Sequence, residues 1–240
     1  MKKTAYKVIA PIVCTLLLFG CTTNNNKTVS DYKEDYKFYN AYETISKDDT
    51  LFIQSQADMS IDLRDPKVVA ANSDSIVIAT IQSIDGGDIL NKVKGTYCHP
   101  YTYGTMIIES TIKGDLESGT EVKYTRMGGI VSFNKYLSSL PTAKRDKLLS
   151  QPQASNVQYV DYTFGDDIEI EVGKTYLMYL IDPENSIVDP NAYRITMWQG
   201  GMREVRGNNV NSDLRSASLN EIQIYNNFTN EWENLDTILN

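Results

Sequence analysis

Ser75–Ile84 reads SIVIATIQSI. Its residues are mainly β-branched, which pack well on a pleated surface and poorly in a helix, so the stretch is predicted as a strand. A second run, Thr175–Ile181, reads TYLMYLI. It is continuously apolar, the pattern of a strand buried on both faces. Just before the first strand, Asp65-Pro66 opens a short helical stretch, Lys67 to Asn72. Asp suits the cap there, and Pro suits the first turn. Beyond the first strand, Asp85-Gly86-Gly87-Asp88 is predicted as a turn and Tyr101–Ile112 as a second strand. Lys113-Gly114-Asp115 turns the chain into a third strand, Thr120–Arg126, which Gly128-Gly129 ends.

The texture then changes. Asn134–Ser150 carries Leu137, Leu140, Leu148 and Leu149 among polar residues, with Pro141 in the middle. One broken helix or two short ones fit this pattern. Asp166–Glu171 is a candidate short extended piece. After TYLMYLI, Tyr193–Trp198 is the last strand, ended by Gly200-Gly201, with Met202–Val205 as an extension beyond a bulge. The order is three strands, a helical insert and two strands. That is the order of a closed five-stranded OB-like barrel with its insert between strands three and four. The expected class is mainly β with peripheral helices, and residues 51–210 form the barrel domain.

Both ends of the chain differ from this body. Lys2, Lys3 and Lys7 precede Val8–Phe19, an apolar run broken only by Pro11 and Thr15. Twelve helical residues span roughly 18 Å, short of the roughly 30 Å of a hydrocarbon core, so residues 1–20 are expected to be a signal peptide. In 31–50, Tyr32, Tyr36, Tyr39 and Tyr42 fall on one stripe of a helix. Such a stripe is either an exposed binding strip or a face packed on the body, and packing is favoured. Residues 211–240 are expected to be a helical appendage. Ser218 with Glu221 makes a capping box for a helix to about Asn226, and Trp232, Leu235 and Ile238 pack a final turn.

The apolar run ends in Leu18-Phe19-Gly20-Cys21. This resembles the lipobox of bacterial lipoproteins, with Leu three before the Cys and a small residue just before it. The resemblance implies that Cys21 becomes the first mature residue and carries two or three acyl chains such as palmitate. It also places the body on the extracytoplasmic face of the cell membrane, with 21–30 as tether. Multiple chains supply the stable anchoring that one cannot. Loss of Lys2, Lys3 and Lys7 leaves 20 basic against 31 acidic groups, a net charge of −11. The body also resembles surface lipoproteins carrying segments like SDSIVIATI, TMIIESTIKG and VGKTYLMYL. From Asp65 to Gly207 it resembles netrin-like domains as well, through Lys113-Gly114 and Gly173-Lys174-Thr175-Tyr176-Leu177. These matches are strands and turns, and they imply fold only.

The whole chain has 240 residues and a net charge of −8, which argues against nucleic acid, whose phosphates want a basic face. Three Cys and one His leave little for a zinc site or a disulfide framework. Cys98-His99 pairs a thiol with an imidazole, yet neighbours on an extended chain point to opposite sides. No G-x-S-x-G element presents a serine, and no D-x-D-x-D-G loop presents calcium ligands. Gly173-Lys174-Thr175 leads into a strand, whereas a phosphate loop leads into a helix. No catalytic residue, metal ligand or cofactor is therefore assigned.

Tyrosine is in surplus, 16 against 6 Phe and 2 Trp. Tyr offers apolar area with a hydroxyl handle, and Tyr101, Tyr103 and Trp198 are candidates for a ligand or partner face. Packing of these residues into the barrel is the competing and favoured reading. The expected function is a membrane-anchored, non-enzymatic binding module for an unidentified protein or envelope ligand. The alternatives are an envelope hydrolase built from carboxylates and a structural accessory of an envelope complex. A concave pocket with converging carboxylates favours hydrolysis, and a flat aromatic patch favours binding.

Overall fold

The computed structural model describes residues 37–56, 60–165, 167–206 and 221–239. The signal segment, Cys21, the tether, Tyr32, Tyr36 and Ser218 lie outside these residues. The first strands in chain order are β1 (Tyr39–Asn40), β2 (Thr50–Ser55), β3 (Ser75–Ile81), β4 (Ser83–Ile84) and β5 (Gly86–Asn91). They are followed by β6 (Thr96–Lys113), β7 (Glu121–Met127), β8 (Gly129–Ser132), β9 (Tyr159–Phe164) and β10 (Thr175–Ile181). The last are β11 (Tyr193–Ile195), β12 (Met202–Arg206), β13 (Gln223–Asn226) and β14 (Glu231–Asn234). The helices are α1 (Pro66–Ala71), α2 (Phe133–Ser139), α3 (Thr142–Leu149), α4 (Trp198–Gly201) and α5 (Leu235–Leu239).

β3, β6, β7, β11 and β10 close into a mixed five-stranded barrel. β3 pairs antiparallel with β6 and β10, and β6 with β7. β7 runs parallel to β11, and β11 returns antiparallel to β10 to complete the ring. This is the expected OB-like connectivity, with α2 and α3 inserted between the third and fourth barrel strands.

All seven residues of β3 are buried. Val77, Ala79 and Ile81 face the barrel interior with Met106, Tyr124, Met178 and Leu180. Ile76 and Ile78 face outward onto a second core with Val69, Leu177, Tyr179, Ile224 and Leu235. Alternate residues of β3 thus serve two cores, so the strand has no polar face. A third core joins Ile89, Val131, Val160, Tyr162 and Phe164 under the three-stranded sheet β2-β9-β8 and the insert helices. β6 passes β4 so closely that a Cβ on Gly104 would sit 2.0 Å from the Ser83 carbonyl oxygen, which only glycine avoids.

The α1 cap forms as expected, with the Asp65 carboxylate accepting from the Lys67 N–H at 2.9 Å. Four expectations are corrected. The Gly86-Gly87 stretch opens β5 instead of turning the chain, because β6 extends toward its N-terminus far enough to pair with it. Gly200-Gly201 closes the short helix α4, not a strand. Gln223–Asn226 is a strand, since Ile222 and Ile224 are buried at a period of two and β12 and β14 pair on either side. The described end of the tyrosine stripe is β1 followed by 3₁₀ turns at Ala41–Thr44 and Lys47–Asp49. There the Asn40 side chain accepts from the Tyr42 N–H, a local bond that competes with an α-helix. No helix among the described residues is long and apolar enough to cross a membrane.

Candidate functional site

A cleft of about 500 Å³ lies between the barrel and its flank. The barrel contributes Thr102 of β6 and Arg126 of β7. The flank contributes the segment around Tyr42, Phe52 of β2, Asp161 of β9 and the loop Asp167–Val172. At its base, the Thr102 hydroxyl donates to the Gly128 carbonyl at 2.9 Å. Its oxygen is then free to accept from Tyr42, whose hydroxyl lies 3.1 Å away. Burial pushes the Tyr42 hydroxyl up to about 12, so it stays a donor at neutral pH. Gly129 is required beside them, since its φ is +133° and a Cβ would fall 2.1 Å from the Thr102 hydroxyl oxygen.

An ion pair holds the loop in place. Arg126 donates from one Nη2 to Asp167 at 2.6 Å and to the Ile168 carbonyl at 2.8 Å. The two side chains are only 7% and 6% exposed. Burial raises the Asp167 carboxyl, and the Arg126 charge and the Ile168 N–H offset part of that effect. At the far end of the loop Glu171 pairs with Lys174 at 2.7 Å.

Asp161 and Glu169 lack such partners, as does the exposed Glu43, which also lines the cleft. In β9 Val160 and Tyr162 turn into the third core, so Asp161 turns outward to the cleft. It stands in register with Phe52 on the neighbouring parallel strand, and Phe52 is 60% exposed. Glu169 reaches the same cleft from the loop. Burial raises the Asp161 carboxyl, and the charge on Glu169 raises it further. Among the described residues no hydrogen bond or ion pair holds either carboxylate. The arrangement attracts a cation. Among the described residues no group of three or more His, Cys, Asp or Glu side chains is placed to hold a metal ion.

Tyr101, Tyr103 and Trp198 lie outside the residues lining this cleft. Tyr101 is 1% exposed and donates its hydroxyl to the Leu90 carbonyl at 2.9 Å. Tyr103 lies against Gly86 with Lys92 near its ring. Trp198 stacks on Phe164 with centroids 5.1 Å apart, within the third core. The structure therefore places the three apart and mostly in packing roles. Cys98 and His99 also diverge. The Cys98 thiol, raised by burial and by the Asp88 charge, donates to the Ile89 carbonyl. His99 meets the Tyr162 hydroxyl at 3.2 Å.

The carboxylate pair went unread in the sequence. Its available signal is the alternation in Tyr159–Phe164 (YVDYTF), which puts a lone acid on the polar side of a short strand. Comparisons with protein-family models, with curated proteins and with solved structures find no match.

The raised carboxyl has a measurable consequence. The folded chain holds the Asp161 proton more tightly than the unfolded chain does. The resulting penalty is absent below the unfolded value, grows as pH rises from it to the folded value, and is complete above that. Asp161→Asn should therefore be more stable than wild type at pH 7, with the difference vanishing at acid pH. Urea midpoints across pH check this, and an Asn variant less stable at pH 7 contradicts it.

Proposed function

We propose that this protein is a lipid-anchored extracytoplasmic binding module whose cleft takes a ligand carrying a positively charged amine. The observation that carries the reading is the pair of unpartnered carboxylates, Asp161 and Glu169, facing one cleft beside the exposed ring of Phe52. Partial burial strengthens the attraction of Asp161 for a cation over that of a free surface charge, exposed Glu169 adds a second negative charge beside it, and an aromatic face adds a cation–π contribution. Anchoring rests on the lipobox at Leu18–Cys21. The mature charge of −11 opposes docking on anionic lipid, so acyl chains on Cys21 must supply the attachment.

Pentalysine serves as the probe for the cleft. Calorimetry should show salt-sensitive binding that the double variant Asp161→Asn/Glu169→Gln weakens at least tenfold. Equal affinity in the variant contradicts the reading.

A second reading, envelope hydrolysis, is the one a concave pocket with converging carboxylates favours; binding comes first because exposed Phe52 and exposed Glu169 leave this cleft open to water. A concave site holds a carboxyl raised by burial next to a second carboxylate, the pattern of an acid and its companion base. Soluble fragments released from isolated envelope material by wild type, and not by Asp161→Asn, would select hydrolysis over binding.

For the anchor, Cys21→Ala should leave the protein unprocessed or release it into the medium. A processed form still retained on the membrane would contradict the lipoprotein assignment.

A further inference from the structure

A second cavity, of about 440 Å³, lies between α4, the β13–β14 hairpin and the loop that walls the cleft. Its lining is Ile168, Gln199, Tyr225, Asn227, Phe228 and Asn230. None of these side chains carries a charge at neutral pH, although 22% of the chain is charged. Three carboxamides, two aromatic rings and one aliphatic group converge instead. The volume falls within the several hundred Å³ usual for small-ligand sites.

Asn227, Tyr225 and Asn230 are held in place before any ligand arrives. The Asn227 amide donates to the Gln199 carbonyl at 2.6 Å and to the Met202 carbonyl at 2.9 Å, clamping the hairpin turn to α4. That leaves the Asn227 carbonyl oxygen as an acceptor. The Tyr225 hydroxyl donates to Asn230 at 3.2 Å, which leaves the Asn230 amide as a donor. The Tyr225 ring is braced edge-on by Trp232, at 5.2 Å, and Trp232 is covered by Arg206. Turn chemistry accounts for Asn226, whose side chain accepts from the Phe228 N–H, and for Asn230 at its φ of +60°. It does not account for Gln199, which arrives from another part of the chain. Gln199 follows two consecutive left-handed residues, Met197 at φ +62° and Trp198 at φ +46°. Among the described residues its carboxamide has no hydrogen-bond partner.

We propose that this cavity is a binding site for a neutral saccharide. The Gln199 carboxamide offers a donor and an acceptor side by side, which matches vicinal hydroxyls, while Asn227 adds an acceptor and Asn230 a donor. Aromatic faces take the apolar C–H face of a sugar ring. The absence of charge in the lining disfavours sugar acids and amino sugars, whose charge would be desolvated without a partner. The site is independent of the amine reading of the cleft, because none of the cleft carboxylates lines it.

The test is saturation-transfer NMR on the full chain in a non-glycosidic detergent. The probes are N,N′-diacetylchitobiose, maltose and cellobiose, with glucosamine and galacturonate as charged controls. At least one neutral disaccharide should bind, with the charged sugars at least tenfold weaker. Gln199→Ala and Tyr225→Ala, with melting temperatures confirmed near wild type, should each weaken binding at least tenfold. Asp161→Asn/Glu169→Gln should leave it unchanged. No transfer to any neutral disaccharide overturns the proposal, as does transfer that survives both alanine variants. Should Tyr225→Ala fail to fold, Gln199→Ala and Asn230→Ala decide the matter by the same criterion.

Discussion

Arg126 connects the barrel to everything built around it. It sits on β7, the strand that runs parallel to β11 and pairs with β6, opposite Ile195 and Thr102. From there its guanidinium reaches Asp167 and the Ile168 carbonyl, the start of the loop that walls the cleft. Ile168 also lines the second cavity, so one side chain in the barrel wall fixes the shape of both concavities. Stability does not explain this choice. A buried ion pair is often no better than well-packed apolar residues of the same volume, and here the Arg126 Nε is left without a partner. What the pair supplies is placement: a loop with no strand pairing of its own is held at one position beside β9.

The cores divide the work accordingly. The barrel interior and the outer core behind β3 and β10 make a rigid support. The third core, under β2, β9 and the insert helices, carries the flank that forms the other side of the cleft. The groups proposed to meet a ligand then lie at the margin between barrel and flank, where strand ends and loops meet and backbone polarity is satisfied by side chains. Asp161 and Phe52 are held on paired strands, while Glu169 lies on the pinned loop. The site is thus defined mainly by rigid elements, the condition under which two carboxylates can perturb each other reproducibly.

Much of this architecture was legible in the residues. SIVIATIQSI and TYLMYLI became the paired strands β3 and β10, and the position of Pro141 divides α2 from α3. The barrel's order could be read because each of its strands carries β-branched or aromatic residues, in a continuous run in β3 and β10 and alternating with charged residues in β7. The flanking strands were hidden for physical reasons. β5 begins Gly-Gly-Asp, a turn signature, and is a strand only because β6 is long enough to pair with it. β13 follows an apparent capping box, and burial of Ile222 and Ile224 overrides that local preference. The site was least legible, since Asp161 and Glu169 meet only through the register of β9 and the reach of Arg126. Tyr101 follows the favoured packing reading, and its hydroxyl binds the Leu90 carbonyl from within the fold.

We propose that a cationic ligand meets this protein at the cleft and not at the aromatic residues elsewhere on the barrel. The most direct measurement is an amide chemical-shift map of the isotope-labelled chain titrated with pentalysine. The account predicts perturbations concentrated at Phe52, Gly129–Ile130, Asp161–Thr163 and Ile168–Val172, with the β13–β14 hairpin and the surroundings of Tyr103 unmoved. Perturbations centred on Tyr103 or Trp198, or none at the cleft at saturating probe, would contradict it.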